Sequence, residues 1–436
     1  MKKKNLILFL ALGIFGTQGL TAQGILKRLK DRAVQATETS VGNKMSKGID
    51  DTINGNGKSG NEKGKPAAST QAGNSTENQA SGSGTTASTS NEVKRSSRFD
   101  FIPGNTILFT EDFSQDVVGE FPLKWYTQSM GEIVTLENIP GKWLRMVPDG
   151  GYLSPTFQLK ANYTIEFDLV ATIPDKGYIP ANLTFSLIDN GRGLYALSNS
   201  EFRPNNMVEF DLAPRRGSSQ SRLKTLEKGS QKFLSNVTSI PGYLEKSFRV
   251  VHFAINIQKE RFRLWVDQEK VYDIPSIIPA DAIFNQLRLN MSSTNYTKDQ
   301  TAFYVSNFKL AAGAPDTRNK LLTEGKFVTS GITFNVNSDQ LTDASFAILK
   351  EIATVMKENP EVKIRIVGHT DSDGDAAANL ELSKKRAIAV KKALEASFSI
   401  PTERMETDGK GETLPVGDNS KPEGKANNRR VEFIKL

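Results

Sequence analysis

Residues 362–387 read VKIRIVGHTDSDGDAAANLELSKKRA, and the change of period inside that stretch decides the fold of the C-terminal part. Val362, Ile364 and Ile366 alternate with Lys363 and Arg365, the two-residue period of a half-buried strand. From about 376 to 396 the pattern becomes helical, after a loop containing Gly374. Working outward, residues 332–336 read as a strand, and Phe346, Leu349, Ile352 and Met356 mark one face of a helix over about 342–357. Residues 430–434 read as a closing strand. Strand, helix, strand, helix, strand predicts an α/β layer (βαβαβ) over residues 316–436, with the helices packed on one sheet. Asp371 ends the quoted strand and Arg386 lies on the following helix, so a carboxylate and a guanidinium can face one pocket. Such a pair suits a zwitterion: the arginine takes a carboxylate bidentately and the aspartate accepts from an ammonium.

Five separated motifs recur here in one order. They are Gly368-His369-Thr370-Asp371, then Asn379 with Leu382-Ser383, then Arg386-Ala387, then Gly409-Lys410-Gly411-Glu412 with Pro415, and finally Asn428-Arg429-Arg430-Val431-Glu432. Together they resemble the OmpA C-terminal-like peptidoglycan-binding domain over nearly all of residues 320–436. The resemblance implies that Asp371 and Arg386 grip the amine and carboxylate of the diaminopimelate stem peptide in Gram-negative peptidoglycan, with Thr370, Asn379 and Asn337 as neighbours. It also implies that Arg429 and Arg430 help to hold the terminal strand and the pocket edge, ligand contact and structural use both remaining open. Asp339 stands where many members carry a small residue, which bears on the pocket rim. The loop Asp371-Ser372-Asp373-Gly374-Asp375 looks superficially like a calcium loop, but Leu382 occupies the position of the bidentate glutamate. No metal, cofactor or catalytic residue is therefore assigned.

Composition sets further bounds. The 436 residues are 37% hydrophobic and 24% charged, with no cysteine, so disulfides, thiolate metal sites and thiol nucleophiles are excluded. His252 and His369 are the only histidines, too few for a multi-histidine metal site. The formal charge of +7 lies entirely within the first hundred residues, and the remainder is balanced, so no nucleic-acid-binding face is indicated.

Lys2, Lys3 and Lys4 followed by the apolar run Leu6 to Phe15 predict a signal peptide over residues 1–22 and therefore export. The spacing over residues 23–53 predicts a basic amphipathic helical segment, to lie on an outer-membrane surface, dock on an envelope protein or serve as a solvated stalk. Residues 54–91, rich in Gly, Ser, Thr and Asn, predict a disordered linker.

Residues 92–315 change to short alternating runs. Tyr163, Ile165, Phe167, Leu169 and Ala171 share one face, with Thr164, Glu166, Asp168 and Thr172 on the other. Similar runs at 183–188, 207–212, 249–257, 261–266 and 303–310 predict an all-β sandwich. Phe109-Thr-Glu-Asp-Phe113, Gly119-Glu-Phe-Pro122 with Trp125, Trp265-Val-Asp267 and Tyr304-Val-Ser-Asn-Phe308 resemble concanavalin A-like (laminin-G-like) jelly rolls. Glu166-Phe-Asp168 and Glu209-Phe-Asp211 suggest a glycanase row of three carboxylates on one strand face, but Val170 and Ala213 stand at the third place. Trp125, Tyr126, Trp143 and Trp265 are candidates either for stacking a sugar or for the core.

The resulting expectation is a multidomain, non-catalytic envelope protein. It resides in the periplasm, associated with the outer membrane and the cell wall, where it anchors to peptidoglycan and presents a β-sandwich module with a glycan or protein ligand. Two alternatives are a glycan-binding or glycan-cleaving effector localised by the anchor, and an outer-membrane β-barrel carrying a periplasmic OmpA-like domain.

Overall fold

The computed structural model describes residues 99–436 apart from 158, 160, 175–176, 192, 199–201, 216–218, 241–247 and 314–315. The signal, amphipathic-helix and linker expectations lie outside the described residues. The described residues form one compact unit with two lobes, each with its own main core.

The N-terminal lobe is built on two large antiparallel sheets packed face to face, and Ser219–Ser221 pairs with Thr238–Ile240 in a further two-stranded sheet. The period-2 runs explain why. In Asn162–Thr172, the central strand of the larger sheet, the apolar set points inward, and Leu183–Ile188, Met207–Leu212 and Gln286–Met291 of the second sheet answer it with Phe185, Leu187, Val208, Phe210 and Leu289. The centre of the core is a series of stacked phenyl rings. Phe167 lies 5.1 Å from Phe185 across the sheets and 4.9 Å from Phe253 on the neighbouring strand, each pair within 3° of parallel. Burying each such side chain contributes about 1.5–3 kcal/mol. The strands at 183–188, 207–212 and 261–266 fall where the alternation places them, whereas Gln286–Met291 alternates as well but hides behind a buried arginine, Arg288. The two sheets are separate and the space between them is filled, so these strands do not close into the transmembrane barrel considered as an alternative. Among the described residues no helix is long and apolar enough to cross a membrane.

The C-terminal lobe is a four-stranded sheet in the order Lys326–Thr329, Val431–Lys435, Ile364–His369, Met405–Gly411, in which only the last pair is parallel. Ser345–Glu358 and Ala376–Phe398 supply the apolar faces that cover it, with Ile348, Leu349, Ile352, Ala387, Val390 and Leu394 packed with Ile364, Ile366 and Phe433. Two expectations need correction. Residues 332–336 are not a strand: Thr333 and Asn335 instead bond across a turn to Thr342 and Gln340, and the first strand lies upstream at Lys326–Thr329. Met405–Gly411, absent from the expected series, adds a fourth strand, and the short helix Pro422–Asn428 precedes the last one.

Glycine decides how closely the long helix approaches. A Cβ on Gly368 would stand 2.3 Å from the Ser383 carbonyl oxygen, and one on Gly409 would stand 2.5 Å from the Lys384 backbone nitrogen. Ser383, fully buried, accepts from the Gly411 N–H at 2.9 Å and so ties helix to strand. The helix begins at Asp375, whose Oδ1 accepts from the Ala378 N–H at 2.9 Å, an N-cap worth about 1 kcal/mol.

The lobes share a core. Trp265 and Ala254, on the outer face of the larger sheet, join a cluster with Phe99, Phe101, Ile102, Leu321, Phe327 and Ile348. Trp265 Nε1 donates to Asp100 Oδ1 at 3.0 Å, and its ring meets Phe101 edge-on at 5.3 Å.

Candidate functional site

The site forms where the strand Ile364–His369 ends and the helix Ala376–Phe398 begins. The parallel neighbour strand holds Thr370 by its backbone, N–H to Gly411 O at 2.9 Å, and Asp371 follows with its side chain largely buried. Each carboxylate of the acidic loop has a defined partner. Asp371 Oδ1 accepts from the Asp373 N–H at 3.2 Å, Asp373 pairs with Lys425 Nζ at 2.7 Å, and Asp375 caps the helix. Nothing in that arrangement gathers the three carboxylates on one ion.

Arg429 is the direct partner of Asp371, with Nη1 donating to Oδ2 at 2.5 Å. The sequence spacing points instead to Arg386, and the structure gives that residue a different state. Its Nε donates to the Ser338 carbonyl at 3.0 Å and its guanidinium lies 4.9 Å from the centre of the Phe334 ring. Among the described residues it makes no ion pair, and neither Nη nitrogen has a hydrogen-bond partner. Burial first and then the nearby charge of Arg429 pull its pKa below the usual value, against the opposing influence of Asp371 and Asp339. Two guanidinium groups, Arg429 and Arg386, therefore lie within electrostatic reach of the one buried carboxylate, Asp371.

Asn379, buried on the first turn of the helix, donates to Glu412 Oε2 at 2.7 Å and to the Asp373 carbonyl at 3.0 Å, which fixes the loop that carries Asp371. Thr370 Oγ1 is buried and has no hydrogen-bond partner among the described residues. Asn337 is an exposed turn residue with φ of 52°, and the turn it permits presents the carbonyl of the next residue, Ser338, to Arg386. Arg430 points away into the lobe, where it bonds Glu432 at 2.9 Å and the Leu414 carbonyl at 3.0 Å. Lys326 at 2.7 Å also holds Glu432; although burial alone would raise its pKa, contacts from His369, Lys326 and Arg430 bring it down to about 2.

Reasoning from spacing misses Ser338, Phe334 and Asn428. Asn428 is fully buried and joins the Val416–Gly417 backbone to Asn419, whose Oδ1 reaches the Ser372 N–H at 3.3 Å. Its place in the final motif is the available signal.

In the N-terminal lobe the paired carboxylates are kept apart. Glu166 and Asp168 lie on the outer face of one sheet, and Glu209 and Asp211 on the outer face of the other. Asp168 bonds His252 Nδ1 at 2.7 Å and Asn307 Nδ2 at 2.7 Å, while Glu166 lies 3.4 Å from Lys309 Nζ. Glu209 accepts from Ser186 and Asp211 from the Arg222 N–H. Trp125, Trp143 and Trp265 are core residues, which leaves Tyr126 as the exposed member of that candidate set. A concavity of about 1040 Å³ in this lobe is lined by Asp189, Asn206, Lys224 and Asp281 and contains none of the Asp371 site.

Residues 333–429 match the OmpA family. Outer membrane porin F of Pseudomonas aeruginosa is 39% identical over 101 residues, 23% of this chain and 29% of that protein. The peptidoglycan-binding protein ArfA of Mycobacterium tuberculosis is 36% identical over 108 residues, 24% of this chain and 33% of that protein. This chain thus spans a third or less of the length of either relative. Among solved structures, the peptidoglycan-associated lipoprotein from Burkholderia pseudomallei is 29% identical, covering 28% of this chain and 98% of that one, with a TM-score of 0.24.

Proposed function

We propose that this chain, strand-rich and with an OmpA-like C-terminal domain, is a non-catalytic envelope protein that anchors to peptidoglycan by gripping the amine and carboxylate at the end of a diaminopimelate side chain. The observation that carries this reading is Arg386: a half-buried guanidinium with both Nη nitrogens uncommitted, beside the Arg429–Asp371 pair. The ligand carboxylate takes the Arg386 Nη donors, where a planar bidentate pair is the strong geometry. The ligand ammonium lies against Asp371, which keeps acceptor capacity beyond its bonds to Arg429 and the Asp373 N–H. Thr370 Oγ1 is a further buried polar atom available at the same place. Relatives named for the outer membrane and for peptidoglycan binding support a periplasmic location near the outer membrane and cell wall. The two-sheet lobe, which we read as a jelly-roll-like recognition module, is the part presented from that anchor.

Co-sedimentation of the full chain with isolated Gram-negative sacculi tests the reading. Wild-type protein should pellet and Arg386→Ala protein should remain in the supernatant; equal pelleting of the two would refute it.

A further inference from the structure

Three consecutive residues at the end of the helix Pro422–Asn428 tie three parts of the molecule together. Asn427 reaches the N-terminal lobe: its Oδ1 accepts from the Ile107 N–H at 2.9 Å and its Nδ2 donates to the Ile107 carbonyl at 2.9 Å. Asn428 holds the 416–419 loop, and Arg429 holds Asp371. The strand Thr106–Glu111 pairs on one side only, with Ala302–Ala312, so the Ile107 peptide faces outward with donor and acceptor open. A carboxamide matches that pair as another backbone peptide would. Ala426 packs with Ile107 and Ala311 beneath the contact, and Asn427 Nδ2 also donates to the Glu423 carbonyl at 2.9 Å, which orients the amide.

We propose that the N-terminal lobe is a working part of the wall-binding device, with Asn427 as a positioning residue that sets where Arg429 stands over Asp371. The inference rests on the peptidoglycan reading above. Contacts run from Ile107 to Asn427, along the backbone to Asn428, and from Asn428 through Asn419 to the Ser372 N–H at 3.3 Å, beside Asp371. Linkage then requires reciprocity: if the lobe contact favours the liganded pocket, the ligand favours the lobe contact by the same factor.

The test uses the full chain and a soluble muropeptide bearing diaminopimelate. Asn427→Ala should weaken binding by roughly fivefold to thirtyfold, the scale of losing a small set of neutral hydrogen bonds. Asn427→Asp, which keeps an acceptor for the Ile107 N–H but sets a carboxylate oxygen against the Ile107 and Glu423 carbonyls, should weaken binding at least as much as Ala, and Asn427→Ser, too short to span the Ile107 peptide, carries the mutational test if the Ala variant does not fold. In wild-type protein the muropeptide should also slow hydrogen exchange at the Ile107 amide, a readout that a merely structural Asn427 would leave unchanged. Wild-type and Asn427-variant proteins that bind alike, or ligand-independent exchange at Ile107, would overturn the proposal while leaving the site reading intact, provided Arg386→Ala still abolishes binding. Wild-type protein that does not bind the muropeptide at all would overturn both.

Discussion

Arg429 Nη1 stands 2.5 Å from Asp371 Oδ2, joining residues that are 58 positions apart in sequence. That pair occupies the aspartate without burying the arginine, whose side chain stays half exposed. It also leaves Arg386, on the helix Ala376–Phe398, as the guanidinium with open donors. On the reading proposed above, Arg386 would donate to a ligand carboxylate and Asp371 would accept from its ammonium.

The substitution Asp371→Asn should impair binding and folding in separable ways. The new amide lacks the charge that holds Arg429 and would hold the ligand ammonium, but its oxygen can still accept from the Asp373 N–H. Affinity for a diaminopimelate muropeptide should drop by about 2–5 kcal/mol, the cost of leaving the bound ligand's ammonium without its carboxylate partner. Thermal unfolding in the absence of ligand should move far less. Calorimetric titration and a melt of the same preparation check both.

How much of this is legible in the sequence varies with the physical signal. Asp371, Thr370, Asn379 and Arg386 stand in a strand–loop–helix passage whose periods are clear, and the structure places Thr370 and Asp371 in the loop and Asn379 and Arg386 on the adjoining helix, Asn379 Nδ2 reaching the Asp371 carbonyl. Arg429 gives a weaker signal than Arg386 because nothing local pairs it; its partner is set by the tertiary return of the last strand beside Ile364–His369. The strand expected at 332–336 fails because apolar Ile332 and Phe334 imitate a strand, whereas Asn337 in the left-handed region closes a turn there. Met405–Gly411 is hard to see because its sequence, METDGKG, serves close helix packing through glycine and does not alternate apolar residues. The shared core of the two lobes is invisible because Trp265 and Ala254 sit on the outer face of a sheet, where alternation assigns polar neighbours.

Gly409→Ala should test the close packing that seats the long helix. The added Cβ would stand 2.5 Å from the Lys384 backbone nitrogen, and backbone cannot swing aside as a side-chain tip can. A loss of about 1–3 kcal/mol is expected from overpacking. It should be accompanied by weaker muropeptide binding, since Arg386 rides on the same helix turn. Denaturant unfolding with no change in midpoint would count against the packing argument.

His252 makes stability fall with rising pH. Burial alone would lower its pKa, but hydrogen bonds and charges from Asp168 and Glu166 outweigh it and raise the value to about 9. A group raised on folding stabilises fully below its unfolded value, near 6.5, and that contribution is lost as pH climbs through about 9. Solvent reaches about a third of the imidazole, so the effect is discounted to on the order of 1–2 kcal/mol. Urea unfolding at pH 6 and pH 10 should show that difference in wild type and lose most of it in His252→Gln protein. An equal drop in both would assign the pH dependence elsewhere.

Phe167→Ala should be the most damaging single truncation in the two-sheet core. Its ring stacks on Phe185, Phe253 and Phe308 at 5.1, 4.9 and 5.6 Å, so the cavity opens where both sheets meet. The expected cost is about 3–5 kcal/mol. Leucine at the same place should recover part of it, and an Ala variant as stable as wild type would contradict the assignment of the core centre.

The central claim is that Arg386 reads the terminal carboxylate of the stem-peptide side chain, and two muropeptides isolate that step. One carries diaminopimelate and the other carries lysine, which keeps the amine but lacks the carboxylate beside it. Titration of the full chain should show wild-type protein preferring the diaminopimelate form by about 2–5 kcal/mol, and Arg386→Ala protein binding both forms weakly and alike. Equal affinity of wild-type protein for the two muropeptides, or a preference that survives Arg386→Ala, would contradict it.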